Sequence, residues 1–259
     1  MRNRSALAIS TLPAAGFAAA LLSLLLLAPR TARPATPPQP VLVELFTSEG
    51  CSSCPPADRL LIDLDRKQPV PGATIVVLSE HVDYWDGLGW RDPYSSHQWS
   101  ERQDSYGRRF GLDSVYTPQM VIDGDRQAVG SESRAVRQAI AESANRPKLP
   151  IEISHATRTK DAVQIAFTAG AAPAATLYAA VADDYDTSSV ARGENSGRVL
   201  DHVAVARSLG PIATLRDTPT QQSVEVPISH DAEKRHLRLI LFAQDAKTGR
   251  ILGVSSRGL

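Results

Sequence analysis

Val41-Leu42-Val43-Glu44-Leu45-Phe46, followed by Thr47-Ser48-Glu49-Gly50 and then Cys51-Ser52-Ser53-Cys54-Pro55-Pro56-Ala57-Asp58, is the stretch that decides the fold. Its first six residues are a short β-branched and apolar run of strand length. The next four supply polar turn chemistry, and residues 57–67 (ADRLLIDLDRK) set Leu60, Leu61 and Leu64 at helical spacing with charges opposite. Pro55 and Pro56 fix where that helix begins. Proline lacks the N–H that interior helical positions donate, whereas the first turn has no partner for those groups anyway. The helix therefore starts close to Ser52, with Cys51 at its N-terminal end.

That position has chemical consequences. A helix N-terminus carries a partial positive charge and unpaired N–H donors, and both favour a thiolate over a thiol. In CxxC settings of this kind the thiol pKa falls from ~8.5 to roughly 3.5–7.5. Cys51 is thus the expected attacking thiolate, and Cys54, one turn further in, the resolving thiol that releases a mixed disulfide.

Outward from this core, residues 74–79 (TIVVLS) read as a second strand for the middle of a sheet. Tyr116-Thr117-Pro118-Gln119 precedes Met120-Val121-Ile122, and Asp123-Gly124 is a strong hairpin signal before Gln127-Ala128-Val129. Residues 131–145 close the unit as a helix, with Ser131 as candidate N-cap and Pro147 just beyond the end. Toward the N-terminus, Arg2 and Arg4 precede an uncharged stretch over residues 5–28 that ends in an apolar run, the form of a basic n-region and an apolar h-region. Residues 1–32 are expected to be a signal peptide or, since roughly 20 apolar residues span a bilayer, an N-terminal membrane anchor. Either places the rest in a periplasmic or secreted setting, possibly membrane-attached. Residues 33–40 read as a Pro-rich tether. Two cysteines three apart then sit in an oxidising space.

The pieces just quoted resemble the thioredoxin superfamily: a CxxC-Pro after a strand, and Thr117-Pro118 just before a hairpin. The run from Glu44 to Asp58, with His81-Val82-Asp83-Tyr84-Trp85-Asp86 and Tyr116-Thr117-Pro118-Gln119, is similar to an exported bacterial thioredoxin-like family known only as a domain of unknown function. The resemblance implies an α/β thioredoxin-like domain, a central sheet flanked by helices, over residues 41–147. It also implies that Pro118 is cis and that Thr117 and Pro118 face the CxxC pair and contact the substrate backbone. Glu44 lies near where thioredoxins keep a buried acid, and Asp83, like His81, falls in a run the family shares. The chain departs from ordinary thioredoxins in carrying Gly50 before the first cysteine, where they usually carry tryptophan. It also has an extra segment, 81–111, with a helix expected around residues 96–109.

All three Trp and four of the six Tyr fall between Tyr84 and Tyr116, mostly in that insertion. Ligand sites in open α/β sheets collect outside the carboxyl ends of strands. Trp85, Trp90 and His81 are therefore candidates for lining a substrate groove beside the disulfide. The competing reading is a satellite core that holds the insertion in place.

After Pro147 the pattern changes to about seven short strand-like runs separated by turn signals such as Lys160-Asp161 and Asp183-Asp184. Residues 148–259 are thus expected to form a separate all-β antiparallel sandwich domain. Its one polar loop able to reach the CxxC, residues 192–198 (RGENSGR), is either a hairpin turn or a cover that restricts access to the cysteines.

Three functions compete for the cysteine pair. One is thiol–disulfide exchange with exported protein thiols or disulfides, needing no cofactor. A second is metal binding, copper(I) for instance, through thiolates and a histidine such as His81. A third is an inert structural disulfide. Closing so short a loop stabilises by only ~2 kcal/mol, which is a weak reason for a chain of 259 residues to keep the pair. With 28 basic and 28 acidic residues, no basic excess points to nucleic acid.

Overall fold

The computed structural model describes residue 8, residues 37–228 and residues 235–259. Residue 8 apart, the expected signal peptide or anchor, and the tether up to residue 36, lie outside the described residues. Residues 37–259 form one compact unit.

β1 (Gln39–Thr47), α1 (Pro55–Lys67) and β2 (Ala73–His81) form a parallel β–α–β unit. β1 starts two residues inside the expected tether. α2 (His97–Phe110) opens on Ser96, whose side chain accepts a hydrogen bond from Gln98 N. β3 (Gln119–Ile122) pairs antiparallel with β1 and with β4 (Arg126–Val129). The Asp123-Gly124 signal holds: both residues have positive φ, as a type I′ turn demands. α3 (Ser133–Ala144) is capped by Glu132 through backbone alone, so Ser131 is not its cap.

The second half supplies β5 (Ile151–Arg158), β6 (Ala162–Ala169), β7 (Ala175–Ser189), β8 (Val199–Thr214), β9 (Thr220–Pro227), β10 (Leu237–Asp245) and β11 (Ile251–Gly258). The expected fold class fails here. Strand accounts for 45% of the described residues against 18% helix. The strands do not divide into a thioredoxin-like sheet and a separate sandwich. Eight of them form one mixed sheet in the order β11-β10-β7-β8-β2-β1-β3-β4, while β5, β6 and β9 make a small second sheet. The seam is β8 alongside β2, with Val205 opposite Ser79. The sheet also curls, so that Ile251 N donates to Asp123 O at 2.8 Å and Leu42 N to Asp123 Oδ1 at 3.0 Å.

The reason lies in β7 and β8, which run to 15 and 16 residues, about twice the expected length. Asp183-Asp184, read as a turn, is inside β7. Buried Asp183 pairs with Arg235 at 2.5 Å, and Asp184 accepts from Arg238 Nε at 2.6 Å, so the acids are neutralised within the strand. The long hairpin overshoots the sheet, and its tip, residues 190–198, lands on the CxxC turn.

Candidate functional site

Cys51 and Cys54 form a disulfide, with Cα atoms 5.4 Å apart, immediately before the Pro55-Pro56 start of α1. Neither cysteine exposes any surface, although Ser52 and Ser53 between them are exposed. Two hydroxyls converge on Cys51 Sγ: Ser53 Oγ at 3.3 Å and Thr117 Oγ1 at 3.5 Å. Thr117 precedes the cis Pro118, so the Thr-Pro loop faces the cysteine pair.

The aromatic insertion frames this turn. Trp85 Nε1 donates to Thr117 Oγ1 at 2.9 Å, and Trp90 Nε1 donates to Glu49 Oε2 at 2.8 Å. Both rings are partly exposed. Trp85 also explains Gly50: a Cβ there would lie 3.1 Å from Trp85 Cβ, so the tryptophan occupies the space a side chain before Cys51 would need.

The hairpin tip closes the top. Asn195 Nδ2 donates to Glu49 O and to Cys51 O, both at 2.9 Å, while its Oδ1 accepts from Arg198 at 2.9 Å. Glu194 Oε2 accepts from Ser52 N at 3.0 Å, taking a donor at the start of the helix turn. Gly193, at φ +79°, sits against Trp90, where a Cβ would come within 3.0 Å of Trp90 Cβ. Residues 192–198 are thus both the turn of the β7–β8 hairpin and a cover in contact with the CxxC turn.

Beneath the disulfide lies a buried polar cluster that sequence reasoning met only through His81. The β1–β2 register sets Thr47 opposite His81 on one face of the sheet. His81 Nδ1 donates to Asp92 Oδ2 at 2.8 Å, and Asp92 also accepts from Glu49 N at 2.8 Å and Tyr94 N at 2.9 Å. His202, on β8, donates from Nε2 to Glu49 Oε1 at 3.2 Å, and Ser188 Oγ donates to the same oxygen. Asp58, one turn along α1 from Cys54, accepts from Thr47 Oγ1 at 3.0 Å and lies 3.9 Å from His202 Nδ1. The two imidazoles meet edge to face, with centroids 4.7 Å apart. His81 Nε2 and His202 Nδ1 have no hydrogen-bond partner.

Burial pushes Asp58 up against the opposing pull of His202 and His81. Burial pulls His81 down, but Asp92, Asp58 and Glu49 outweigh it and hold the imidazole above its ordinary value. For Asp92, burial works upward, while His81 and the Glu49 and Tyr94 amides bring it below the usual carboxylate range. Among the described residues, no group of three or more His, Cys, Asp and Glu side chains is arranged to hold a metal ion.

Two sequence candidates stand elsewhere. Glu44 points to the opposite face of the sheet, where it accepts from Arg102 Nε and Tyr106 Oη, both at 2.7 Å. Asp83 accepts from Ser100 Oγ at 2.6 Å and from His97, pinning the start of the insertion to the insertion's own helix, α2. Cys51, Cys54, Thr117, Pro118, Trp85, Trp90 and His81 are brought together. Glu49, Asp58, Asp92, His202 and Asn195 were missed, because no local pattern links residues 49, 58, 92 and 202. The one available signal was the polar loop holding Asn195.

A family model described as "Protein of unknown function (DUF1223)" matches residues 42–244. An X-ray crystal structure of a structural-genomics target from Agrobacterium tumefaciens aligns with 27% identity at a TM-score of 0.64. It covers 87% of this chain and 96% of its own. Two β-glucosidases, from Kluyveromyces marxianus and Thermotoga neapolitana, align at TM-scores of 0.21 and 0.20, with 10% and 6% identity. The alignments cover 44% and 42% of this chain but only 14% and 16% of theirs, a likeness too slight to carry an argument. No curated protein matches the sequence.

Proposed function

The chain belongs to the DUF1223 family, and for this member we propose thiol–disulfide exchange at Cys51–Cys54 in an exported protein, with access governed by the 190–198 hairpin tip. The observation that carries this reading is the setting of Cys51 Sγ. It lies at the start of a helix and accepts from two hydroxyls, Ser53 and Thr117. Amide dipoles and hydroxyl donors stabilise negative charge, so this sulfur is the one favoured as a thiolate when the pair opens. Cys54, buried a turn deeper, is the resolving thiol.

Export is supported by the n-region and h-region of residues 1–28. Substrates are exported protein thiols or disulfides. A macromolecular partner reaches the buried sulfurs only after Asn195 releases the Glu49 and Cys51 carbonyls. Trp85 and the Thr117-Pro118 loop then border the opened groove. Displacing the tip also removes the Glu194 carboxylate from the helix start, which strengthens the pull on a developing thiolate.

The test is the reduction potential of the pair, combined with thiol trapping on Cys54→Ala. A potential between about −120 and −270 mV matches exchange proteins, whereas one well below about −300 mV marks an inert bond. A mixed disulfide on Cys51 in the exported compartment is expected. Its absence, together with a very low potential, ends the proposal.

A further inference from the structure

A threonine hydroxyl has one proton to give and two lone pairs to fill, so what Thr117 does for Cys51 depends on where that proton points. Three groups surround it. Trp85 Nε1, which can only donate, fills a lone pair of Thr117 Oγ1 at 2.9 Å. Cys51 Sγ lies 3.5 Å from the same oxygen and, in the disulfide, can only accept. Tyr84 is within hydrogen-bonding reach of Thr117 as well. Its own proton goes to Gln103 Oε1 at 3.1 Å, so toward Thr117 its oxygen is an acceptor. With Trp85 in place, the Thr117 proton has two destinations, Cys51 Sγ and Tyr84 Oη. Gln103, fully buried, steadies the loop: its Nε2 donates to Tyr116 O at 2.7 Å and to Gln119 Oε1 at 3.0 Å, on either side of Thr117-Pro118. Tyr84, Trp85 and Gln103 all come from the segment between β2 and β3. Trp85 alone reaches both loops, since its Cβ also fills the space beside Gly50, immediately before Cys51.

We infer that Trp85 is a positioning residue for Cys51: its indole N–H occupies Thr117 Oγ1 from one side and so turns the hydroxyl proton toward Cys51 Sγ. The inference rests on the exchange reading and names what tunes the attacking sulfur. A hydroxyl that accepts from an N–H is polarised into a stronger donor. In the disulfide the sulfur is a weak acceptor, and Tyr84 Oη competes for the proton. When the pair is reduced and Cys51 is a thiolate, a hydrogen bond to the charged sulfur is roughly twice as strong as a neutral one, and the proton turns to Sγ. That change is the rotation of one O–H bond. The Trp85 and Gln103 hydrogen bonds need not break, so the donor is already in place where negative charge develops.

The full chain carrying Cys54→Ala leaves Cys51 as a lone thiol whose ionisation is read from thiolate absorbance against pH. Trp85→Phe, which keeps an aromatic ring without the N–H, should weaken the Cys51 ionisation constant about three- to tenfold, the worth of one hydrogen bond. In a Thr117→Val background the same substitution should change it by less than about twofold, because the group it acts through is gone. Tyr84→Phe, which removes the rival acceptor, should strengthen the ionisation. The charged and titratable groups around the turn are Glu194 above it and Glu49, Asp58, Asp92, His81 and His202 beneath, and they are the same in every variant. No shift in Trp85→Phe overturns the proposal. So does an equal shift without Thr117, or a weakening in Tyr84→Phe as large as that in Trp85→Phe, because either marks a general loosening of the segment. Should Cys54→Ala fail to fold, the intact pair is equilibrated with a dithiothreitol redox buffer. Lost thiolate stabilisation disfavours the reduced form, so Trp85→Phe should move the equilibrium toward the disulfide, again only with Thr117 present. Should Trp85→Phe fail to fold, the Trp85 indole N–H is followed by NMR in the Cys54→Ala chain. Its signal should titrate at the Cys51 midpoint and lose that response in Thr117→Val; a signal indifferent to Cys51 overturns the proposal. Failure of the exchange reading shows separately, as a lack of any mixed disulfide on Cys51 while its ionisation still depends on Trp85 through Thr117.

Discussion

Two buried polar clusters sit back to back on the carboxyl ends of β1 and β2, one on each face of the sheet. On one face Glu44 and Glu80 meet Arg102 and Tyr106; on the other, Glu49, Asp58 and Asp92 meet His81 and His202. Each surrounds cationic groups with buried carboxylates, yet the cations differ in kind. Arg102 is held over the Tyr106 and Phe242 rings, 5.1 and 5.3 Å from their centroids, and a guanidinium keeps its proton at any working pH. Imidazoles release theirs near neutrality. The first cluster is therefore a fixed ionic lock between α2, β1 and β10, while the second can change charge in place. Only the second adjoins the cysteines. A site that must absorb a charge change needs titratable partners; a site that only holds a helix on a sheet does not.

The comparison breaks most readily at Arg102. Arg102→Met should cost about 3–5 kcal/mol at pH 7, because two buried carboxylates lose their cation. Urea unfolding measures this, and a cost under about 1 kcal/mol would show that the cluster is no lock. Burial and the neighbouring Glu44 push Glu80 well above its ordinary value against the pull of Arg102, so a protonated Glu80 eases the loss in acid. Adding Glu80→Gln should recover part of it at pH 7.

Stability against pH separates the clusters next. His81 is raised above 6.5 in the folded state, so its contribution is fully present below pH 6.5 and is lost as pH climbs through the folded value. Asp58, raised above 3.8, has the same sign, with its loss beginning above pH 3.8. Asp92 is lowered, so its contribution is present above pH 3.8 and lost as pH falls through its folded value. Each proton taken up on folding gives a slope of about 1.4 kcal/mol per pH unit. As pH rises, wild-type stability should fall, with the Asp58 share of the decline beginning above pH 3.8 and the His81 share above pH 6.5. Asp58→Asn and His81→Gln should each flatten their own share. Glu80→Gln removes the share with the same sign that belongs to the other face. An alkaline decline untouched by the Asp58 and His81 changes would mean that the histidine cluster does not titrate.

How much of this was legible in the chain depends on sequence distance. The β1–CxxC–α1 run and the Asp123-Gly124 hairpin are encoded within a few residues by proline geometry, strand composition and turn chemistry. Each stands where those rules put it, whereas the placing of the Thr117-Pro118 loop against the cysteines came from the resemblance. The individual strands of the second half were visible too, but their partners were not. Pairing Val205 with Ser79 spans 126 positions, and nothing local records it. Asp183-Asp184 misled because an acidic pair reads as a turn until Arg235 and Arg238 are known to face it. The same blindness hid His202, Asp58 and Glu49, whose chemistry exists only once β8 lies beside β2. Gly50 is the converse case: its meaning was lost until Trp85 was seen filling the space.

The hairpin tip gives a smaller effect that touches only the cysteine face. Asn195→Ala leaves the Glu49 and Cys51 carbonyls without their donor and cheapens opening by about 1.4 kcal/mol, within the range for an unpaired buried group. Reduction of the pair by dithiothreitol should then be about tenfold faster, while Arg102→Met, on the far face, should leave the rate of any molecules still folded unchanged. An Asn195→Ala rate equal to wild type would mean that the tip does not limit access.

The smallest effect separates charge on the surface of the site from charge within it. Glu194 is exposed, and hydrogen bonds from the Ser52 hydroxyl and amide hold its carboxyl below the usual glutamate range. At neutral pH it therefore presents a full negative charge at the place an incoming thiolate must cross. Glu194→Gln keeps an oxygen able to accept from Ser52 but removes that charge. The rate of attack by an anionic thiol should rise roughly two- to threefold at low ionic strength, and the gain should shrink as salt screens it over a Debye length of about 10 Å at 0.1 M. Asp58→Asn, at a buried site, should show no such salt dependence. Equal salt sensitivity in the two variants would erase the distinction between a screened surface gate and the buried cluster beneath it, because only a surface charge is open to the ions of the solvent.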